Sequence, residues 1–485
     1  MQKKFIINLI FLVGLNLLVK PFWIFGIDRT VQNIVGANEY GLYFAVMNFS
    51  FLFGFILDFG LTGYNNRTVA QQEHLAAENT SSILGMKTIL SLVYALISIG
   101  TAFIIGYDSI HFKLFMWVGI NQILASFILF LRSNVSGMQM FKTDSVLSVL
   151  DRLLMILFFS VLLWGNVFDI KIDIFYFAAF QTLSYFITFL IALFVVIRYT
   201  RFVKISWRLK EHFALFKRSL PFAILSFLML FYYRVDSVML ERLLPDGSLH
   251  AGIYASAYRI LDALGMFSYL FSVLLLPLFS RMLAQKQETG PIVHLASVLL
   301  LSAAVVVGVV SFFYSDPIIS RLYVDHQAES AIVLRILMQG FMPISAIYIF
   351  GTLLTAHGSL KILNMVAGAG VLLNVLLNFY LIPQFFENGA AFSGVATQSM
   401  VALSHVVLVI VLVKPAGIRN TIFQLIFFGV FIWIFAVLLQ NSRLDFMMQI
   451  VAILGTWILF LTISALLWFR SRKINFSNLF LWRKN

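Results

Sequence analysis

Apolar runs of about twenty residues or more follow one another along almost the whole chain, and each carries few charges. About twenty such residues make a helix long enough to cross the hydrocarbon of a bilayer. Inside lipid every backbone N–H and C=O must find a partner within the protein, which leaves helices and closed barrels. The runs are too long and too uniformly apolar for the alternating strands of a barrel. A twenty-residue window gives fourteen spans: 5–27, 41–66, 82–106, 112–133, 146–166, 174–197, 219–243, 251–279, 291–315, 330–355, 360–383, 389–413, 419–440 and 446–469. The expected fold class is therefore an all-α polytopic membrane protein. Composition agrees: 61% of the 485 residues are hydrophobic and 11% are charged, against about 25% charged in soluble domains.

The net charge of +13 raises the question of a nucleic-acid partner. Its distribution answers it. With the N-terminus inside, most of the 34 Lys and Arg fall on inner segments, above all Arg198 to Arg218 and Arg470 to Lys484. That asymmetry is the positive-inside pattern. It predicts an even number of helices with both termini cytoplasmic, and no nucleic acid. The start, "MQKKFIINLIFLVGLNLLVKPFWIFG", has no small-x-small cleavage site, so it reads as a retained first helix. The segment 198–218 is basic and amphipathic and reads as a cytoplasmic linker at the membrane surface, in contact with membrane lipids.

A repeat sets the domain plan. "YGLYFAV" (40–46) matches "AGIYASA" (251–257), and "NRTVAQ" (66–71) matches "SRMLAQ" (280–285). The spacing predicts two parallel six-helix lobes, 1–197 and 219–413, joined by 198–218 and followed by two extra helices and a basic tail in 414–485. Substrate sites of parallel-repeat transporters lie near the bilayer midplane where the repeats meet.

Ionisable residues inside spans are costly and mark function by default. Those that matter here are Lys20, Asp58, Asp151, Arg152, Arg234, Asp236, Arg259 and Asp262. Arg234 and Asp236 are two apart, about 200° around a helix, so they face different partners. Arg259 and Asp262 are three apart and can share a face. Asp151 and Arg152 lie near a span end, where snorkelling accounts for the arginine; Lys87 and Arg335 are read the same way. Lys20 lies deeper and precedes Pro21, which is expected to open the helix locally. A lumen with Lys20, Arg234 and Arg259 would be positive and suit an anion such as a diphosphate, because arginine matches phosphate oxygens with a fork of donors. Asp58, Asp236 and Asp262 are then candidates for coupling to H⁺ or Na⁺, or for gating.

Signals for bond-breaking chemistry are poor. There is no cysteine, no His-x-x-x-His metal spacing, no phosphate-binding Gly-rich loop and no nucleophile elbow. No catalytic residue, metal or cofactor is expected. A membrane glycan polymerase or ligase would need a long outward loop carrying catalytic Arg or His. The longest outward segments expected, 28–40 and 316–329, are short.

These residues together resemble a known family. "NIVGANEYGLYFAVMNFSFLFGFILDFGLTGYNNRTVA" (33–70), with Gly36, Tyr40-Gly41, Asp58-x-Gly60-Leu61 and Arg67, is similar to the opening of Wzx-type polysaccharide flippases of the MOP, or MATE-like, superfamily. "LNVLLNFYLIPQFFENGAAFSGVATQ" (373–398), with Asn374, Asn378, Ile382-Pro383 and Gly389-Ala390, is similar to their second hallmark. The resemblance implies two lobes in a V around a cavity. It implies movement of an undecaprenyl-diphosphate-linked oligosaccharide across the bacterial inner membrane by alternating access, alongside a glycan polymerase partner. By helix position, Lys20, Arg234 and Arg259 match the family's substrate-binding cations, and Asp58 and Arg67 match motif positions at the cytoplasmic side of the second helix, where the resemblance implies gating, fold stabilisation or substrate contact. The two extra helices also resemble those of lipid II flippases, and a multidrug exporter of the same superfamily is the further alternative.

Overall fold

The computed structural model describes residues 14–62, 65, 69, 76–138, 140–164, 172–200 and 209–471. Among them the chain is helical throughout, with no strand. Among the described residues ten helices are long and apolar enough to cross a membrane. The protein is a multi-pass membrane protein.

The first helix begins within the described residues at 14 and runs through a π-turn, Trp23–Asp28, into Arg29–Leu52, which breaks at Gly36. We call 14–35 α1 and 37–52 α2. Gly36 has φ of 84°, a conformation open to glycine because it lacks a Cβ. The polar stretch expected as an outward loop, 28–40, is thus mostly helix. Its polar side chains bond to protein: Gln32 Nε2 donates to the Gly252 carbonyl at 3.1 Å and Asn33 Nδ2 to the Leu322 carbonyl at 2.9 Å. The expected single span 41–66 also differs. After Leu52 the chain tightens into a 3₁₀ turn, Gly54–Leu57, then kinks at Phe59 and Gly60, both with positive φ.

The next helices follow their apolar runs: α3 Ala76–Ile105, α4 Ser109–Gly137, α5 Leu150–Trp164, α6 Ile174–Thr200, α7 Leu209–Leu243, α8 Gly247–Ala284 and α9 Gly290–Leu322. Asp108 caps α4 by accepting from the backbone N–H groups of Ile110 and His111, the standard use of a carboxylate at a helix start. The residues 201–208 of the basic linker lie outside the described residues. Gln327–His357 forms α10. The helical stretch Leu360–Val413 has 54 residues, about 80 Å at 1.5 Å per residue, far more than the ~30 Å of hydrocarbon. It breaks at Phe386, with φ of 53°, three residues after Pro383; we call 360–385 α11 and 387–413 α12. His250 holds the break, stacking on Phe386 at 5.0 Å and bonding Glu387 at 2.6 Å. Ile418–Gln440 (α13) and Phe446–Ser471 (α14) complete the chain.

The chain divides into two compact units. The first comprises Met1–Arg259, Ser320–Ser330 and Ala367–Gly394. In it α2 and α8 meet backbone to backbone. A Cβ on Gly41 would lie 1.8 Å from the Ser248 carbonyl oxygen, and one on Gly252 would lie 1.8 Å from that of Ala37. These are matching glycines of the sequence repeat. The second unit comprises Ile260–Ile319, Ala331–Val366 and Val395–Asn485. Its core packs α9 against α13 and α14 through Val306, Val309, Phe428, Ile432, Ala436 and Ile453, with Phe428 and Phe460 stacked at 4.1 Å.

Candidate functional site

The charged side chains of the first unit form a connected system of cations and aromatic rings. It starts from the π-turn of α1. A π-turn bonds residue i to i+5, here the Arg29 N–H to the Ile24 carbonyl. The wider turn brings Trp23 and Asp28, five apart, closer to one face than an α-helix would. Both are buried. The expected local opening after Pro21 is this widened turn.

Asp28 is the carboxylate partner of Arg259. Arg259 Nε lies 2.9 Å from Asp28 Oδ2 and also donates to the Tyr40 hydroxyl at 2.8 Å, while that hydroxyl donates to Asp28 Oδ2 at 2.7 Å. The guanidinium lies over Phe44 at 5.2 Å. Sequence reading placed residue 28 in a loop and missed Asp28. The signal available was an acid about two turns beyond Pro21 on a tryptophan-bearing helix. Asp262, expected to share a face with Arg259, is half-buried on α8 in the second unit.

Arg234 reaches the same side of α2. Its Nη1 donates to Asn48 Oδ1 at 3.3 Å, and its guanidinium lies over Phe51 and Tyr258, 5.4 Å from each centroid. Phe44, Asn48 and Phe51 follow helical spacing, so Arg234 and Arg259 line one face of α2. Asp236 points elsewhere, as the 200° rotation requires. It is 3% exposed and accepts from Asn374 at 3.0 Å, Asn378 at 2.8 Å and Tyr254 at 3.1 Å. A buried carboxylate in a membrane needs such donors. A Cβ on Gly394 would come within 3.0 Å of Asp236 Oδ2. The two asparagines of the second hallmark thus act on Asp236, a link that spacing alone did not reveal.

Lys20 is half-buried on α1, and the charges acting on it are those of Arg152, Asp151 and Arg132. Arg152 is not a snorkelling residue at a helix end. Its guanidinium sits over Trp23 at 5.2 Å and Tyr185 at 5.6 Å, and Nη2 donates to the Tyr185 hydroxyl at 3.1 Å. Trp23 stacks on Phe177 at 5.8 Å, Phe177 meets Tyr43 at 5.3 Å, and Tyr43 meets Tyr40 at 5.9 Å. Rings therefore connect Arg152 to Arg259.

Asp58 lies at the kink after α2. Lys87 of α3 donates to it at 3.0 Å, and the Thr62 hydroxyl also donates to it. Lys87 is 1% exposed, which corrects the snorkelling expectation: its ammonium is turned inward onto Asp58, Ser126 and the Leu57 carbonyl. Arg67 lies outside the described residues. Among the described residues no His, Asp and Glu cluster has the makings of a metal site.

A family profile described as "Polysaccharide biosynthesis protein" matches residues 8–283, more than half of the chain, and one described as "MatE" matches residues 221–380. No curated protein sequence matches. Among solved structures the chain is similar to the lipid II flippase MurJ in an inward closed conformation, with 13% identity and a TM-score of 0.65 over 92% of this chain and 97% of that one. It is also similar to an inward-facing multidrug-resistance MATE transporter, with 14% identity and a TM-score of 0.58 over 78% and 91%. A MOP superfamily transporter from Pyrococcus furiosus matches with 15% identity and a TM-score of 0.54 over 82% and 92%. At these identities the structural likeness speaks for the fold, the MOP transporter fold. The profile match speaks for the family: this chain belongs to the polysaccharide biosynthesis proteins, flippase-type transporters of the MOP superfamily.

Proposed function

We propose that the protein moves an undecaprenyl-diphosphate-linked oligosaccharide from the inner to the outer leaflet of the bacterial inner membrane, by alternating access of the lobes 1–197 and 219–413. The supporting observation is the placement of Arg234 and Arg259 on one face of α2, with Lys20 on α1. Moving such a lipid breaks no bond. The anionic headgroup needs a polar route across ~30 Å of hydrocarbon, while the prenyl chain stays in lipid. Arginines stacked on aromatic rings give donors in fixed directions for phosphate and sugar oxygens. Asp236, held by the N–H groups of Asn374 and Asn378, is the coupling site in this reading: its carboxylate takes up H⁺, or Na⁺ when the amides turn their oxygens toward the ion. Asp58, Asp262 and Arg67 are proposed as gating residues.

The test is leaflet-to-leaflet movement of a fluorescent undecaprenyl-diphosphate-sugar by the full chain in liposomes. Wild type moves it; Arg234→Ala lowers the rate at least about tenfold, the loss of one charge-assisted contact. Wild type that leaves the lipid where it started overturns the reading. The likeness to MurJ along 92% of the chain favours a second reading, lipid II as substrate, and the same liposomes loaded with lipid II decide between them.

A further inference from the structure

Histidine meets glutamate at two places in the first unit, and the two contacts differ in the protons they need. His250 Nδ1 lies 2.6 Å from Glu387 Oε2, and among the described residues its other nitrogen bonds nothing. A neutral ring with one N–H satisfies that contact. His111, in the first turn of α4, is bonded at both nitrogens. Its Nδ1 lies 2.7 Å from Asp108 Oδ1, and its Nε2 lies 2.9 Å from Glu241 Oε1. An ionised carboxylate only accepts, and a neutral imidazole has one N–H to give. A neutral ring would therefore serve one of these oxygens and turn a lone pair on the other. Both bonds form together when the ring carries two protons and a positive charge. A proton on Glu241 donated to a neutral ring is the equivalent arrangement and holds the same number of protons.

The surrounding charges favour that extra proton. The charges acting on His111 are those of Glu241 and Asp108. Arg242, next to Glu241 at the end of α7, lies 3.7 Å from Glu241 Oε1. Lys113 is exposed and about 200° around α4 from His111. With a neutral ring, two carboxylates stand against one guanidinium; one proton balances them. Glu241 is buried, and its Oε2 has no hydrogen-bond partner among the described residues, so water screens the imbalance poorly. The same place fastens the turn between α3 and α4 to the end of α7. Arg242 Nη2 donates to the Ile105 and Gly106 carbonyls at 2.6 and 3.3 Å, and the Tyr107 ring lies 5.5 Å from the guanidinium and 4.7 Å from the His111 ring. Arginine stays charged at any ordinary pH. The bond from His111 to Glu241 is the part of this contact that a proton controls.

We propose that His111, Asp108 and Glu241 form a proton site that clasps α4 to α7, and that loss of the proton loosens this end of the bundle. This rests on the alternating-access reading and deepens it. His111 belongs to the lobe 1–197 and Glu241 to the lobe 219–413, at the end that the charge pattern places outside. An acid exterior then favours the clasped arrangement, because a proton bound more tightly in one state shifts the protein toward that state. His250 and Glu387 both belong to 219–413, so their contact is the internal control.

The chain has no cysteine, so Ile110→Cys and Pro245→Cys, at two exposed positions, carry spin labels on the two sides of the clasp. Their separation is measured in the full-length protein in nanodiscs from about pH 5 to about pH 8, the range in which histidine changes charge. Wild type shows a short separation in acid, and the population with a long one grows about tenfold as the pH rises, the loss of one charge-assisted bond. His111→Gln and Glu241→Gln each abolish the response to pH. His111→Lys, whose charge does not titrate in this range, keeps the short separation throughout, and His250→Gln responds as wild type does. A wild-type separation that ignores pH overturns the proposal, and this outcome needs no variant to fold. A His111→Gln protein that follows pH as wild type does overturns it as well, and so does a His250→Gln protein that has lost the response. No lipid-linked substrate enters the measurement. A clasp that answers to pH in a protein that leaves undecaprenyl-diphosphate-sugar where it started keeps the proton site and removes the flippase.

Discussion

Lys87 and Lys20 place the same ammonium group in helices of the same compact unit, with opposite surroundings. Lys87 is 1% exposed and donates to the Asp58 carboxylate, the Leu57 carbonyl, the Ser126 carbonyl and the Ser126 hydroxyl, at 3.0, 3.0, 3.2 and 2.7 Å. Its three protons have four acceptors. Lys20 is half-buried beside Arg152, with no bond to protein among the described residues. The difference shows what separates structural from functional charge in a membrane protein. A cation whose donors are all taken closes a fold. One whose donors are left over is available to a ligand.

The comparison is broken most directly at Lys87. Lys87→Met takes from Asp58 its cation, leaving it the Thr62 hydroxyl, and takes from the Leu57 carbonyl one of its two donors, the other being the Ser126 hydroxyl. Removing one partner of a buried ion pair costs about 3–5 kcal/mol; Asp58 is 30% exposed, which puts the loss at the lower end, and the substitution also frees the kink between Gly54 and Gly60. Thermal unfolding of the purified protein in detergent should show a larger loss than Asp28→Asn or Lys20→Gln produces. The double variant Lys87→Met with Asp58→Asn should recover part of it, because neither charge is then stranded. A Lys87→Met protein as stable as wild type would reduce the pair to a passive contact.

Asp28→Asn sharpens the comparison from the other side, by making Arg259 resemble Lys20. The guanidinium keeps Tyr40 and the ring of Phe44 but loses the Asp28 charge. A hydrogen bond to a charged group contributes about 1.5–3 kcal/mol, so the loss should be smaller than that at Lys87. The same unfolding measurement checks it. Equal losses at the two sites would mean that buried depth, rather than the count of satisfied donors, sets the effect.

Much of this was legible in the sequence, and the part that was not has one cause. The all-helical membrane fold follows from apolar runs because lipid permits so few alternatives. That Arg234 and Asp236 face different partners follows from their spacing, and Asn48 and Asn374 bear it out. The break at Gly36 falls on a residue singled out for its motif. What failed were judgements about partners across the bundle. Lys87 read as snorkelling because Asp58 lies 29 residues away, and a window centred on one helix does not see it. Asp28 read as part of a loop because "DRTVQNIVGANEY" is polar; its helix is paid for by Gln32 and Asn33 bonding to Gly252 and Leu322, more than 200 residues downstream. Arg152 read as an end residue because Trp23 and Tyr185 come from two other helices.

Lys20→Gln is the smallest expected effect on stability and the strictest test of the contrast. No protein acceptor is lost, so no buried group is stranded, and substitutions clear of such features usually stay within about 0.5 kcal/mol. The sign should favour the variant slightly, because removing the ammonium relieves its repulsion with Arg152. Stability and ligand binding then move in opposite directions at Lys20, whereas Lys87→Met lowers stability whether or not ligand is present. Unfolding curves of both variants, taken with and without undecaprenyl diphosphate, read the two effects together. Wild type gains stability from the ligand by mass action; Lys20→Gln starts level with wild type and gains little. If Lys20→Gln unfolds as early as Lys87→Met, the ammonium has a structural duty and the division between the two lysines fails.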